Sequence, residues 1–165
     1  MKPKAISGTE LALLTIASAV VTANAYYIHP IIARVAEDFG VSASSIGLVP
    51  ALNQVALALG IFLLLPLGDM FSNRRLISIF VAGQCGGIVC MALAPDILWF
   101  TIGSTLLGFF TIAPYLLPTY VSKRVDPRQL GHVTAMLTTG VIMGILLARS
   151  GAGVIGEYLS LIHIS

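Results

Sequence analysis

The sequence predicts an all-α fold, a polytopic membrane bundle of about five transmembrane helices. Hydrophobic residues make up 57% of the 165 residues, charged residues only 10%, and the mean hydropathy is +0.96. An ordinary soluble domain carries about 25% charged residues, and a spanning helix needs about 20 mostly apolar residues. Five stretches reach that length, and they lie at 11–32, 45–67, 76–94, 97–121 and 133–155. So much apolar surface exceeds what one soluble core of this size buries, which indicates a lipid environment.

The first span permits a second interpretation, a secretory signal peptide. Lys2 and Lys4 precede an apolar run that reaches small residues at 23–25, the outline of a leader with its cleavage site. Glu10 interrupts the basic leader, and the apolar run continues past the supposed cut through Ile28. We therefore expect the first helix to be retained.

Prolines punctuate the later spans. Pro95 with Asp96 separates the third span from the fourth, and so short a turn predicts that these two helices are antiparallel neighbours. Pro114 and Pro118 lie inside the fourth span, where a missing backbone donor predicts a kink.

Polar residues at 33–44 predict a loop between the first two spans.

The distribution of lysine and arginine predicts the orientation. An amino terminus in the cytoplasm places seven of the nine basic residues on the cytoplasmic side, as the positive-inside rule requires. These seven are Lys2, Lys4, Arg74, Arg75, Lys123, Arg124 and Arg128. The expected location is the inner, or plasma, membrane, with the segment 65–77 forming a cytoplasmic loop.

This cytoplasmic loop carries a family motif. It reads Pro66-Leu67-Gly68-Asp69 followed by Arg74-Arg75, and it resembles the signature loop of the major facilitator superfamily, Gly-x-Leu-Ala-Asp-Arg-x-Gly-Arg-Arg. Departures from that pattern include Leu65, Met70, Ser72 and Asn73. In the family the aspartate latches one of the alternating states, so the resemblance implies a conformational latch loop of Gly68, Asp69, Arg74 and Arg75. A simple turn explains the same charges, because a carboxylate favours a helix amino terminus and arginines favour anionic lipid.

The resemblance covers residues 11–160 and implies both an architecture and an activity. Residues 26–48 and 130–160 are similar to the corresponding parts of bacterial drug or sugar exporters, above all the drug/proton antiporter-like permeases. The family has twelve spans in two six-helix halves. The chain would then supply five spans, residues 161–165 would be a non-native tail, and the missing half would be its partner. The implied function is secondary active, alternating-access transport of a small molecule, by export or by antiport with protons.

The fourth and fifth spans fit this subgroup only in part. Gly140 and Gly144 keep its glycine spacing, which lets helix backbones touch, and we expect them at an interface between the two halves. Three replacements depart from the subgroup: Ser104 for an arginine, Ile145 for a proline and Ala148-Arg149 for a glycine pair. Export and proton coupling are therefore weaker expectations than transport.

Polar side chains at bilayer depth are the candidate substrate contacts, because they are costly there and commonly face a pathway or a partner. The predicted substrate-binding residues are Asn24, Tyr27, Asn53, Gln54 and Arg149. Asn24 and Tyr27 share one helical face. Purely structural roles are the alternatives. Tyrosines can anchor at the membrane interface, amides such as Gln84 can form a hydrogen bond with a neighbouring helix, and Arg149 can extend toward the outer face.

Several function classes find no support in the sequence. The three histidines are far apart and lack cysteine partners, so neither a metal site nor another cofactor is expected. Cys85 and Cys90 lie on different helical faces, which argues against a bridge. No nucleophile with a base, phosphate loop or carboxylate pair suggests an enzyme, and a net charge of +2 does not suggest nucleic-acid binding. The alternatives to a transporter are a membrane assembly or scaffold protein and a channel.

Overall fold

A computed structural model describes the backbone of residues 6–122 and 125–163; it describes their side chains except at Asp69 and at 156–163. The described residues form these helices: α1 (Gly8–Tyr26), α2 (Ile28–Asp38), α3 (Ala43–Leu64), α4 (Leu67–Met70), α5 (Asn73–Ala92), α6 (Ile97–Phe110), α7 (Ala113–Ser122) and α8 (Pro127–His163). Four of the basic residues behind the predicted orientation lie outside the described part of the chain: Lys2, Lys4, Lys123 and Arg124.

Five of the described segments are long and apolar enough to span a membrane, which confirms the predicted all-α membrane bundle. They are Gly8–Asp38, Ala43–Leu64, Asn73–Ala92, Ile97–Ser122 and Pro127–Ile155, called spans 1 to 5 below. In the most apolar window of each span, 22% to 33% of the residues are buried, except in span 4, where 50% are. Span 4 is therefore the most enclosed helix, and the others turn most of their apolar surface outward, as lipid-facing helices do.

The span boundaries differ from the predicted ones mainly at their polar ends. Most of the loop predicted at 33–44 is helical, because α2 continues to Asp38 and only residues 39–42 connect it to α3. Gly40 makes this short connection with a positive φ of 62°. Charged residues can continue a helix beyond the apolar stretch wherever it emerges into water, so polarity alone does not mark its end. The helix α8 likewise starts earlier than predicted, and its backbone runs to His163.

Side-chain caps fix the starts of spans 1, 2 and 4, and those of spans 1 and 4 involve an acidic residue. Ser7 and Glu10 form a capping box at α1, in which the Ser7 amide donates to Glu10 Oε2 at 3.0 Å and the Glu10 amide donates to Ser7 Oγ at 3.1 Å. The acidic residue that interrupts the basic leader thus starts the first helix. At α6, Asp96 Oδ1 accepts from the amides of Leu98 and Trp99 at 2.9 and 3.0 Å. This tight turn makes spans 3 and 4 antiparallel neighbours, as predicted.

Spans 1 and 4 are interrupted. In span 4 the helix ends at Phe110 and resumes at Ala113, and Thr111 leaves the helical region with ψ 47°. The predicted kink is confirmed, and it lies just before Pro114, whose ring cannot follow a regular helical turn. In span 1 the interruption is milder: Tyr27, between α1 and α2, keeps helical angles.

Glycines bring the helix axes together at several contacts. A methyl group added to Gly144 would collide with the Ala19 carbonyl, one at Gly140 with the Thr15 carbonyl, and one at Gly60 with the Phe109 carbonyl. Spans 5 and 1, and spans 2 and 4, therefore pack backbone against backbone. The expectation that Gly140 and Gly144 face another half is wrong for these residues, because span 1 of the same bundle occupies that face.

Candidate functional site

A cleft of about 600 Å³ opens between span 1 and span 5 at the end of the bundle that holds α2. We call this end the α2 end and the opposite end, which holds residues 65–72, the loop end. Helix α1 supplies the deep part of one wall, and α2 continues that wall toward the surface. Residues 147–155 of α8 supply the other wall.

Among the described residues, the span 1 wall carries all the polar side chains of the cleft. Asn24 and Tyr27, predicted from their shared helical face, both line it and are partly buried. Arg34 and Asp38 line it nearer the surface. From Tyr27 these positions follow at intervals of seven and eleven residues, which keeps them on one helical face. The wall therefore presents an amide and a phenol at depth and two opposite charges near the mouth.

The α8 wall is apolar and mostly small. Ala148, Gly151 and Ala152 provide its centre, with Leu147 and Ile155 at its edges. A methyl group added at Gly151 would meet nothing within 4 Å. Because these side chains are short, the two helices leave open volume here although they touch at Gly140 and Gly144.

Arg34 and Asp38 were not among the residues predicted to bind substrate. Their polarity suggested a loop, whereas the structure continues the helix through them. The spacing of these two residues from Tyr27 was the available signal. It becomes informative only once the helix is known to extend to Asp38.

The other predicted contacts lie elsewhere. Asn53 has no exposed surface, and its Nδ2 donates to the Ser104 carbonyl at 2.7 Å, joining α3 to α6. Gln54 is half-buried, and its Nε2 is enclosed without a hydrogen-bond partner among the described residues. Arg149 is exposed on α8, and it is absent from the cleft lining although Ala148 and Gly151 belong to it. The structure thus brings together Asn24 and Tyr27, and leaves these three residues outside the cleft.

The predicted latch loop is held against the fourth span at the loop end. Gly68 is buried, and a methyl group there would lie 2.7 Å from Leu116 Cδ2. Asp69 belongs by its backbone to α4, and its side chain lies outside the described atoms. Ser72, rather than Asp69, occupies the N-cap position of α5, and both Arg74 and Arg75 are exposed in its first turn.

Comparison with known proteins gives the family. The model of the Major Facilitator Superfamily matches residues 14–163. The uncharacterized transporter YgaY of Escherichia coli, in strains K12 and O157:H7, is 33% identical over 152 residues, which is 92% of this chain and 39% of that protein. A protein of Streptomyces coelicolor described as "Probable transporter SCO4007" is 26% identical over 148 residues, covering 89% of this chain and 34% of that protein. No solved structure gives a significant match.

The chain thus spans about two fifths of the length of the YgaY proteins that it matches. The match extends over all five spans, including the signature loop at 65–75 and the cleft walls. The family and the names of the relatives agree with the prediction of a transport protein that is not an enzyme. This chain belongs to the Major Facilitator Superfamily.

Proposed function

We propose that the chain is the amino-terminal part of a secondary active transporter that moves a small molecule by alternating access, in the direction of export or as an antiporter. Its amino terminus lies in the cytoplasm, and the protein resides in the inner membrane. The α2 end is then the outer end of the bundle. The remaining spans of the full-length protein are its partner, and protons are the candidate coupling ion.

The cleft between spans 1 and 5 is the observation that carries this proposal. It combines a polar wall, with Asn24 and Tyr27 at depth, and an apolar wall of small residues. Pockets of this kind hold the apolar body of a ligand by contact and fix its orientation through a few polar groups. The substrate class that suits the cleft is therefore an amphiphilic small molecule, with its polar group toward span 1.

The latch loop completes the proposal at the opposite end. Gly68 fixes the loop against Leu116 of span 4, so a movement of span 4 is transmitted to the loop. Arg74 and Arg75 are exposed for contact with lipid phosphates or with another part of the full-length protein. Asp69 is the proposed latch residue.

The scaffold alternative loses its main support. It relied on glycine faces free to bind another protein, whereas Gly140 and Gly144 pack on span 1. A channel lacks a specific observation in its favour, because the cleft is a groove between two helices at one end of the bundle.

Flux through the full-length protein tests the proposal. The protein is reconstituted into liposomes, a pH gradient is imposed, and accumulation of two amphiphilic dyes is followed: cationic ethidium and anionic carboxyfluorescein. Saturable accumulation of either dye against its gradient, collapsed by a protonophore, supports proton-coupled transport. Flux that never saturates indicates a channel, and absence of flux for both dyes and for a broader amphiphile panel, with normal insertion, contradicts the proposal. Asp69→Ala should abolish flux without loss of insertion.

A further inference from the structure

Gln84 joins three spans at the centre of the bundle. It lies on α5 and is 2% exposed. Its Nε2 donates to the Val21 carbonyl of α1 at 3.0 Å and to Thr111 Oγ1 at 2.8 Å. An amide nitrogen carries two hydrogens, so both are used, one toward span 1 and one toward span 4. The expectation of a bond to a neighbouring helix is confirmed, and the amide reaches two such helices.

The span 4 partner of Gln84 is the residue at which that span is interrupted. Thr111 is 1% exposed, and its hydroxyl donates to the Leu107 carbonyl at 2.6 Å while accepting from Gln84. This hydroxyl therefore connects the last turn of α6 to the amide on α5. The hydrogen bonds form one chain from the Val21 carbonyl to the interruption in span 4.

The glycine next to Gln84 adapts α5 to this interruption. A methyl group at Gly83 would lie 2.6 Å from Cγ of the Phe110 ring, too close to be accommodated without movement. Phe110 is the last residue of α6. The bare backbone at 83 and the amide at 84 thus hold the end of α6 by packing and by hydrogen bonding.

Near the Val21 carbonyl, span 1 carries two buried hydroxyl groups that have no hydrogen-bond partner among the described residues. Ser18 and Thr22 share a helical face with Val21, at positions i, i+3 and i+4. They are 0% and 1% exposed, and among the described residues their hydroxyl oxygens have no hydrogen-bond partner. Buried polar groups without partners cost free energy. Span 1 therefore presents two further hydrogen-bonding groups close to the carbonyl that Gln84 now holds.

We propose that Gln84 is a positioning residue that couples the interruption of span 4 to span 1, with Ser18 and Thr22 as its alternative partners. A small rotation of span 1 exchanges the Val21 carbonyl for one of these hydroxyls, so that Gln84 stays bonded in both arrangements. Such an exchange gives the two helices two discrete packings, which is what a moving bundle requires. The consequence for substrate movement rests on the proposed transport function, whereas the coupling itself does not.

Hydrogen exchange tests the coupling without any substrate. The 165-residue chain is placed in lipid nanodiscs, and amide exchange is followed by mass spectrometry in peptides that cover 18–25 and 107–116. Thr111→Val removes one hydroxyl and preserves the side-chain shape. We expect exchange to rise about 3- to 30-fold at 107–116, the range expected for one lost intramembrane hydrogen bond. Exchange should also rise at 18–25, to which the Thr111 hydroxyl is linked by hydrogen bonds through Gln84. An unchanged rate at 18–25 overturns the coupling.

Gln84→Met should raise exchange in both peptides, because it removes both bonds at nearly constant volume. Asn53→Leu is the matched control: it removes a buried amide that joins only α3 to α6, so exchange should rise around 53 and 104 and stay unchanged at 18–25. A rise at 18–25 in Asn53→Leu as large as in Gln84→Met would mean general loosening and would contradict the proposal.

The paired variant Ser18→Ala with Thr22→Val tests the exchange of partners. It removes both alternative hydroxyls and leaves the Val21 carbonyl in place. Without these hydroxyls the shifted packing offers Gln84 no hydrogen bond and is populated less. Amide exchange at 18–25 that proceeds through the shifted packing should therefore fall by about threefold or more. Unchanged or faster exchange at 18–25 refutes the alternative partners. Since neither readout involves transport, failure of this inference is separate from failure of the flux assay.

Discussion

Spans 1 and 5 meet in two different ways along their length. Toward the loop end, Gly140 and Gly144 press on the Thr15 and Ala19 carbonyls, so the backbones are in contact. Toward the α2 end, Gly151 of the same helix α8 faces open space and borders the cleft. The same helix pair therefore forms a close joint toward the loop end and an open groove toward the α2 end.

The difference shows that glycine has no single meaning in a membrane helix. At 140 and 144 the carbonyls of span 1 leave no room for a side chain, and the absence of one permits close association of the two helices. At 151 the missing side chain leaves volume that a ligand can use. We therefore expect substitutions at the joint to change stability and substitutions at the groove to change function, and the following predictions test that division.

Among substitutions in the cleft, the largest effect on flux is expected from filling the groove. Gly151→Trp introduces a large side chain into the cleft, and dye flux through the full-length protein should fall by about tenfold or more, equivalent to about 1.4 kcal/mol. Leu146→Trp is the matched control, because Leu146 is 54% exposed on the same helix and does not line the cleft. Flux in liposomes and insertion are measured for both. Normal flux in correctly inserted Gly151→Trp would remove the cleft from the pathway.

Substitutions at the close joint should instead lower the unfolding free energy of the chain. Gly144→Ala places a methyl group against the Ala19 carbonyl, and overpacking of this kind costs about 1–3 kcal/mol of unfolding free energy. Gly151→Ala adds the same methyl group where nothing lies within 4 Å, so it should cost nothing. Circular dichroism during denaturation in detergent measures both. Equal losses for the two variants would contradict the division between joint and groove.

Two adjacent amides extend the comparison to span 2. Asn53→Leu removes the bond to the Ser104 carbonyl and should destabilise the chain by about 0.6–2 kcal/mol. Gln54→Leu removes an enclosed amide nitrogen that has no partner among the described residues, so stability should be unchanged or higher, since an unsatisfied buried donor carries a desolvation cost. The same denaturation measurement separates them. A larger loss of unfolding free energy in Gln54→Leu than in Asn53→Leu would contradict the assignment of Asn53 as the hydrogen-bonded amide of the two.

Much of the fold could be predicted, because apolar length, short turns and prolines act locally. The five spans, the turn at Asp96 and the interruption before Pro114 all follow from such signals. The extension of α2 to Asp38 does not, because polar residues can continue a helix where water satisfies them.

The candidate site was predictable only in part. Asn24 and Asn53 are the same residue type in similarly apolar spans, yet one lines a cleft and the other joins two helices. Which of these occurs depends on the helix opposite, and sequence periodicity does not identify that helix. The same holds for Arg34, whose place on the same cleft wall as Tyr27 can be inferred only once α2 is known to continue span 1.

The smallest effect is expected from the cleft phenol. Tyr27→Phe removes one hydroxyl from the span 1 wall, and a lost hydrogen bond of about 0.5–1.5 kcal/mol raises the KM for dye flux about 2- to 12-fold with little change in maximal rate. The neighbouring Tyr26 is the matched control. It stacks on His29 with ring centroids 5.7 Å apart and does not line the cleft, so Tyr26→Phe should leave KM unchanged. Successive residues of a helix point about 100° apart, so an effect at Tyr26 and none at Tyr27 would move the substrate to a different face of span 1.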